Sequence, residues 1–164
     1  MSKGFSHVGL STCNMDATID FYEKVLGFNC VAENQITVEE GGHLRQVEFD
    51  IGDGQFIGFL ESHDVPGIAE EYDTGITGSL GVPSMFYHVA FSVATVEKLA
   101  NLRSALEAKR VQVSPIVDHG PGKSFYLKDP NRIQLEFTVE VREFNKDDAS
   151  GAFKIAKHLL DPVG

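Results

Sequence analysis

Phe5-Ser6-His7-Val8-Gly9-Leu10-Ser11 returns later in the chain as Phe86-Tyr87-His88-Val89-Ala90-Phe91-Ser92. Each copy holds a histidine in mid-strand, and an amphipathic helical pattern comes after both. A phrase that recurs together with its succeeding helix marks a tandem of two similar units. A histidine kept at one position in both copies suggests two ligands converging on one site.

The rest of the chain supports the duplication. Around the first copy the pattern predicts a strand over residues 5–11, then a helix over 16–26. Asn14 or Asp16 can cap that helix, Ile19, Tyr22, Val25 and Leu26 form its apolar stripe, and Gly27 suits the position just past its end. Strands are expected over 28–38, 44–51 and 55–61. A turn at Glu40-Gly41-Gly42-His43 and a two-residue turn at Asp53-Gly54 would join them. The second unit repeats the order. A strand over 85–93 leads to a helix from Thr95 to about 109, with Val96, Leu99, Leu102 and Leu106 facing the core. Strands follow over 111–118, 123–128 and 132–140, with turns at Gly120-Pro121-Gly122 and Asp129-Pro130-Asn131. Both units read βαβββ. Residues 62–84, with four glycines and two prolines, form a connection long enough to be a linker or a lid. Residues 147–160 read as a C-terminal helix, with Phe153, Ala156, Leu159 and Leu160 on one stripe.

Side chains alternate along a strand. Val8 and Leu10 therefore share one face of the first strand, while His7 and Gly9 share the other. In the repeat, Val89 and Phe91 oppose His88 and Ala90. The aliphatic face suits packing under the helix, so both histidines are expected on the far side, beside residues small enough to leave room for a ligand. In Ile133-Gln134-Leu135-Glu136-Phe137 the odd positions suit the core, which turns Glu136 toward the histidine side. A mid-strand carboxylate is costly to bury unless it is paired or binds a metal. Two imidazoles and one carboxylate with open positions form the facial triad of non-haem Fe(II) sites, and Zn, Mn, Ni and Co accept similar ligands. Leu60-Glu61, at the end of the first unit's last strand, looks like a similar dipeptide. Glu61 is read as a fourth ligand, a catalytic base or a solvated strand-end carboxylate.

The chain has 164 residues, 42% of them hydrophobic, which suffices for a sizeable core, and a formal net charge of −10. That charge repels phosphate backbones and anionic lipid, so neither nucleic acid nor membrane is an expected partner. Cys13 and Cys30 fit neither a disulfide framework nor a CxxC zinc pattern. No apolar stretch is long enough to span a bilayer, the N-terminus lacks signal-peptide design, and cytoplasm is the expected location.

At these residues the chain resembles the vicinal oxygen chelate superfamily, which includes glyoxalase I, extradiol dioxygenases, fosfomycin-resistance transferases and bleomycin-binding (bleomycin resistance) proteins. The likeness covers about residues 5–140. It is most specific in Ser124-Phe125-Tyr126-Leu127-Lys128-Asp129-Pro130-Asn131-Arg132-Ile133-Gln134-Leu135-Glu136-Phe137, similar to a family phrase that ends in the metal-binding glutamate. Arg132 stands where glycine is usual. Phe21-Tyr22-Glu23-Lys24-Val25-Leu26-Gly27-Phe28 resembles the family's first helix. The resemblance implies an α+β fold, in which two tandem βαβββ modules form a curled mixed sheet around a metal-containing cleft. It implies one such domain over residues 1–164, with module 1 at 5–61, the linker or lid at 62–84, module 2 at 85–140 and the terminal helix at 147–160. His7, His88 and Glu136 fall on its metal-ligand positions, so the chain resembles the enzymes more than the metal-free binding members.

Among those enzymes the likeness to extradiol ring-cleaving dioxygenases has three supports. The ligand set His7, His88, Glu136 has their strand order. Tyr126 lies ten residues before the glutamate, where they place a tyrosine that hydrogen-bonds the catecholate. His119 stands just before that strand, as a residue near the substrate or a turn residue. This reading implies Fe(II) or Mn(II), O2 and a small substrate with adjacent oxygens. A glyoxalase-I-like isomerase or lyase is the alternative. It would add Glu61 to the other three ligands and use Ni(II) or Zn(II). A homodimer is the expected assembly, and the two modules could complete a cleft within one chain or across the dimer.

Overall fold

The computed structural model describes residues 4–150 and Leu160. It divides into two compact units, with the boundary between Thr74 and Gly75, inside the expected 62–84 connection. In the first unit, β1 (His7–Ser11) leads to α1 (Met15–Ile19), which continues as π-helical turns over Asp20–Val25. β2 (Asn29–Thr37), β3 (His43–Gly52) and β4 (Gln55–His63) follow. The second unit opens with α2 (Ile76–Leu80) and a 3-10 turn at Ser84–Phe86. Then come β5 (His88–Ser92), α3 (Val96–Ala108), β6 (Val117–Asp118), β7 (Gly122–Lys128), β8 (Gln134–Glu140) and α4 (Lys146–Ser150).

Each unit is built on a four-stranded mixed sheet, ordered β1-β4-β3-β2 in the first and β5-β8-β7-β6 in the second. β1 with β4 and β5 with β8 pair in parallel, and the other neighbours are antiparallel. A parallel pair needs a crossover, and in both units the helix after the first strand begins that return. This is the α+β arrangement expected from the repeat.

Local chemistry explains the boundaries. The Asn14 side chain accepts from Ala17 N to open α1, and the Thr95 side chain accepts from Lys98 N to open α3. Asp53 and Gly54, with φ of 53° and 69°, form the left-handed pair that a tight hairpin between β3 and β4 requires. The first core gathers Tyr22, Val47, Phe49, Ile57 and Phe59, with the Tyr22 ring 4.9 Å from Phe59 and 5.2 Å from Phe49. The second gathers Leu99, Leu106, Phe125, Leu127, Leu135 and Phe137. Each fully buried side chain of this size contributes roughly 1.5–3 kcal/mol.

Four expectations need revision. Met85 lies in the 3-10 turn rather than in β5. The strand expected over 111–118 shrinks to Val117–Asp118 and a single bridge from Val113 to Leu127, because Pro115 has no N–H to extend a ladder. Val96 is exposed, leaving Leu99 and Leu106 as the buried face of α3. The 62–84 segment is not all loop, since β4 runs to His63 and α2 lies within it. Of the C-terminal stripe, Phe153, Ala156 and Leu159 lie outside the described residues. Among those described, no helix is long and apolar enough to cross a membrane.

Candidate metal centre

Strand register in the second unit arranges one sheet face into rows. His88 pairs with Gln134 and Gln134 with Lys128. Ala90 pairs with Glu136 and Glu136 with Tyr126. Ser92 pairs with Thr138 and Thr138 with Ser124. Paired residues point to the same side of a sheet, so His88, Glu136 and Tyr126 share a face. Leu135, Phe137, Phe125 and Leu127 point the other way, into the core.

On that face His88 Nε2 lies 3.1 Å from Glu136 Oε2. His88 Nδ1 lies 2.8 Å from the Met85 carbonyl oxygen, and a carbonyl only accepts, so Nδ1 carries a proton. Nε2 is thereby the nitrogen turned toward the carboxylate, in the pattern of a metal-ligating histidine oriented by a backbone carbonyl. The two groups form an ion pair. The hydrogen bond to Glu136, foremost, lifts the His88 pKa above its ordinary value; burial opposes this, and the Met85 bond and the Glu136 charge add to it. For Glu136 burial is the largest single influence and pushes upward. Hydrogen bonds from His88 and Ser124 and the positive character of His88 outweigh it and hold the carboxyl below its usual range.

Tyr126 is pushed up to about 12, because burial disfavours the phenolate and the Glu136 charge repels it. Its hydroxyl lies 2.9 Å from His119 Nε2. His119 is held by the turn before β7, where its own N–H donates to the Gly122 carbonyl and Gly120 N–H donates to Asp118. The turn into β8 is tied by Asp129, whose carboxylate accepts from Ile133 N and from the Asn131 amide. Arg132 takes the left-handed conformation there, φ 63°, as glycine would. That tie fixes the register that sets Glu136 beside His88.

The first unit shows the same rows with different occupants. His7 pairs with Phe56 and Phe56 with Asp50. Gly9 pairs with Gly58 and Gly58 with Glu48. Ser11 pairs with Leu60 and Leu60 with Gln46. The counterpart of Glu136 is thus Gly58, which has no side chain. His7 is exposed, with Ser6 Oγ 3.3 Å from its Nδ1. Glu61 lies three residues beyond Gly58 and, by strand alternation, on the opposite face from His7. There its Oε1 accepts from Met15 N at 2.9 Å, at the start of α1, and its Oε2 meets His63 Nε2 at 2.8 Å. The likeness of Leu60-Glu61 to Leu135-Glu136 is one of sequence and not of register. Among the described residues no group of three or more His, Cys, Asp or Glu side chains is gathered to hold an ion; His88 and Glu136 are two donors in the second unit, and His7 belongs to the first.

Sequence reasoning missed Glu48. It accepts from the Gln46 amide at 3.3 Å, and its Cγ lies 3.5 Å from where a Cβ on Gly58 would stand. Extending strand alternation to β3 would have put it on the His7 face.

The sequence model of the Glyoxalase/Bleomycin resistance protein/Dioxygenase superfamily matches residues 4–137. Among solved structures, a glyoxylase/bleomycin resistance protein/dioxygenase domain from Frankia sp. superposes with a TM-score of 0.64 at 18% identity, over 85% of this chain and 99% of that one. Lactoylglutathione lyase from Agrobacterium tumefaciens gives 0.58 at 16% identity, over 84% and 94%. A glyoxalase family protein from Enterococcus faecalis gives 0.56 at 24%, over 83% and 97%. At such identities these likenesses speak for the fold.

Proposed function

The chain belongs to the Glyoxalase/Bleomycin resistance protein/Dioxygenase superfamily, and on that premise we propose that it is a metal-dependent enzyme that cleaves the ring of a catechol-like vicinal diol with O2. The observation that carries the reading is the pairing of Gly58 with Gly9, which leaves the first unit without a counterpart to Glu136. The chain then offers three ligands, His7, His88 and Glu136, rather than the four of a glyoxalase site. A three-donor set would leave a bound ion room for a bidentate substrate as well as its co-substrate.

The donors suit a divalent ion such as Fe(II) or Mn(II). His88 is oriented through Nδ1, and the depressed pKa of Glu136 keeps it ionised at neutral pH. When bound, the ion polarises two adjacent substrate oxygens and gives access to O2. The protein's own part is positioning and proton handling. Tyr126 stays a neutral phenol and can hydrogen-bond a substrate oxygen beside Glu136. As a substrate hydroxyl gives its proton to Tyr126 Oη, the tyrosine's own proton can pass to His119 Nε2, 2.9 Å away. We assign Glu61 to holding the start of α1. A homodimer in the cytoplasm completes the reading, with His7 coming from the same chain or from its partner; light scattering tests the assembly.

Glu48 favours a second reading. Leaning into the space over Gly58, it is placed to act as a fourth donor or as the base of an isomerase like lactoylglutathione lyase. One experiment separates the two. Anaerobic loading with Fe(II), then catechols and air, should yield a yellow ring-fission product. No product across a broad panel, together with nickel-dependent turnover of a hemithioacetal, would overturn the dioxygenase reading.

A further inference from the structure

A cavity of about 320 Å³ in the second unit is lined by Gly75, Thr77, Gly78, Val82, Ser84, Lys128 and Arg132. Its composition runs against that of the chain, which has 24 acidic residues and 14 basic ones. Among the described residues no acidic side chain lines the wall, and two cationic ones do. The Thr77 and Ser84 residues beside them are buried, and a hydroxyl can donate to an anion. A wall of two cations and two hydroxyl donors suits a ligand's negative charge.

The cavity's position ties it to the candidate metal centre. Lys128 ends the row His88–Gln134–Lys128, so it rises from the same sheet face as His88 and Glu136. Two strand spacings, roughly 10 Å, separate the Lys128 and His88 backbones. Ser84 belongs to the 3-10 turn whose next residue, Met85, orients the His88 ring. The volume is at the lower end for small-molecule sites, about 300–1,000 Å³. It suits one substituted ring better than a peptide-sized thiol conjugate.

We propose that this cavity is a carboxylate-binding subsite formed by Lys128, Arg132, Thr77 and Ser84. Resting on the ring-cleavage reading, it makes the substrate an aromatic diol that carries a carboxylate away from its two hydroxyls. Lys128 supplies a point charge, and Arg132, on the turn into β8, supplies a planar guanidinium.

The test is calorimetric titration of the full chain, without added metal, with benzoate and with its neutral isostere benzamide. Benzoate should bind at least about tenfold more tightly, a difference that shrinks with added salt. Lys128→Gln should bring the ratio toward one. So should Arg132→Gly, which removes the cation while keeping a residue suited to φ 63°. Equal binding of benzoate and benzamide, or an unchanged ratio in both variants, would overturn the subsite. Displacement of benzoate by inorganic phosphate at a tenth of its concentration would overturn the carboxylate assignment. The ring-cleavage reading fails separately. Absence of ring fission from both catechol and 3,4-dihydroxybenzoate, with benzoate discrimination intact, would remove the reaction and leave the anion site standing.

Discussion

Replacing Glu61 by alanine separates a ligand from a helix anchor. In the structure both carboxylate oxygens are engaged, one by Met15 N and one by His63. Met15 is 1% exposed, so its N–H would be left without a partner and largely without water. A hydrogen bond to a charged acceptor is worth about 1.5–3 kcal/mol, and losing a helix-start acceptor costs about 0.5–2 kcal/mol. These figures describe the same bond, so the expected loss is about 2 kcal/mol. For a chain of this length that corresponds to a Tm lower by roughly 4–8 °C. Thermal melts of the metal-free protein would read it, and elemental analysis of the reconstituted variant would read the metal. The expected result is a lower Tm with unchanged metal stoichiometry, and partial recovery in Glu61→Gln, whose amide oxygen can still accept from Met15. A variant that loses metal while its Tm stays within 1 °C or so of the parent would show that Glu61 is a ligand after all.

Other outcomes rest on the same geometry. In metal-free protein the His88–Glu136 pair stabilises through a raised histidine pKa and a lowered carboxyl pKa. Its contribution is complete between their ordinary values of 4.5 and 6.5, and fades as pH rises through the His88 value or falls through that of Glu136. The Tm difference between parent and His88→Gln should peak in that window, and a pH-independent difference would count against the pair. Absorbance titration at alkaline pH should show one tyrosine ionising near 12; Tyr126→Phe should remove that step and lower kcat by about 100-fold or more, and retention of full kcat would remove it from the chemistry. Gly58→Glu adds a Cβ that meets only ordinary contacts, at 3.5 Å from Glu48 Cγ and Val47 O. It should fold, keep its metal and lose ring-fission activity by about 10–100-fold as a fourth donor enters; undiminished activity would show that Gly58 does not face the metal.

The duplication, the helix start at Thr95, the choice of Asn14 or Asp16 for the first helix start, the Asp53-Gly54 hairpin and the faces of His7, His88 and Glu136 could all be read from residue order. These depend on local chemistry, namely caps, left-handed turn positions and the two-residue alternation of a strand. The buried, helix-side placement of Ile133, Leu135 and Phe137 comes from the same alternation. Residue order is less informative where a second segment takes part. The strand expected before His119 shrinks because Pro115 cannot extend a ladder and Ser114 exchanges bonds with the Tyr126 backbone through its own N–H and hydroxyl.

Sequence alone therefore determined which residues each strand turns to which side, since alternation is a property of one segment. Which residue stands beside which was decided only by tertiary structure. Register depends on turn length and on bulges such as the shift between Asp50 and Gly52, and neither strand of a pair encodes it alone. Leu60-Glu61 and Leu135-Glu136 look alike as sequence, yet register makes Gly58 the counterpart of Glu136 and leaves Glu61 to hold a helix. The same pairing brought Lys128 into the row of His88, and the turn at Arg132 set a second cation beside it, although nothing local to either residue marks them as partners.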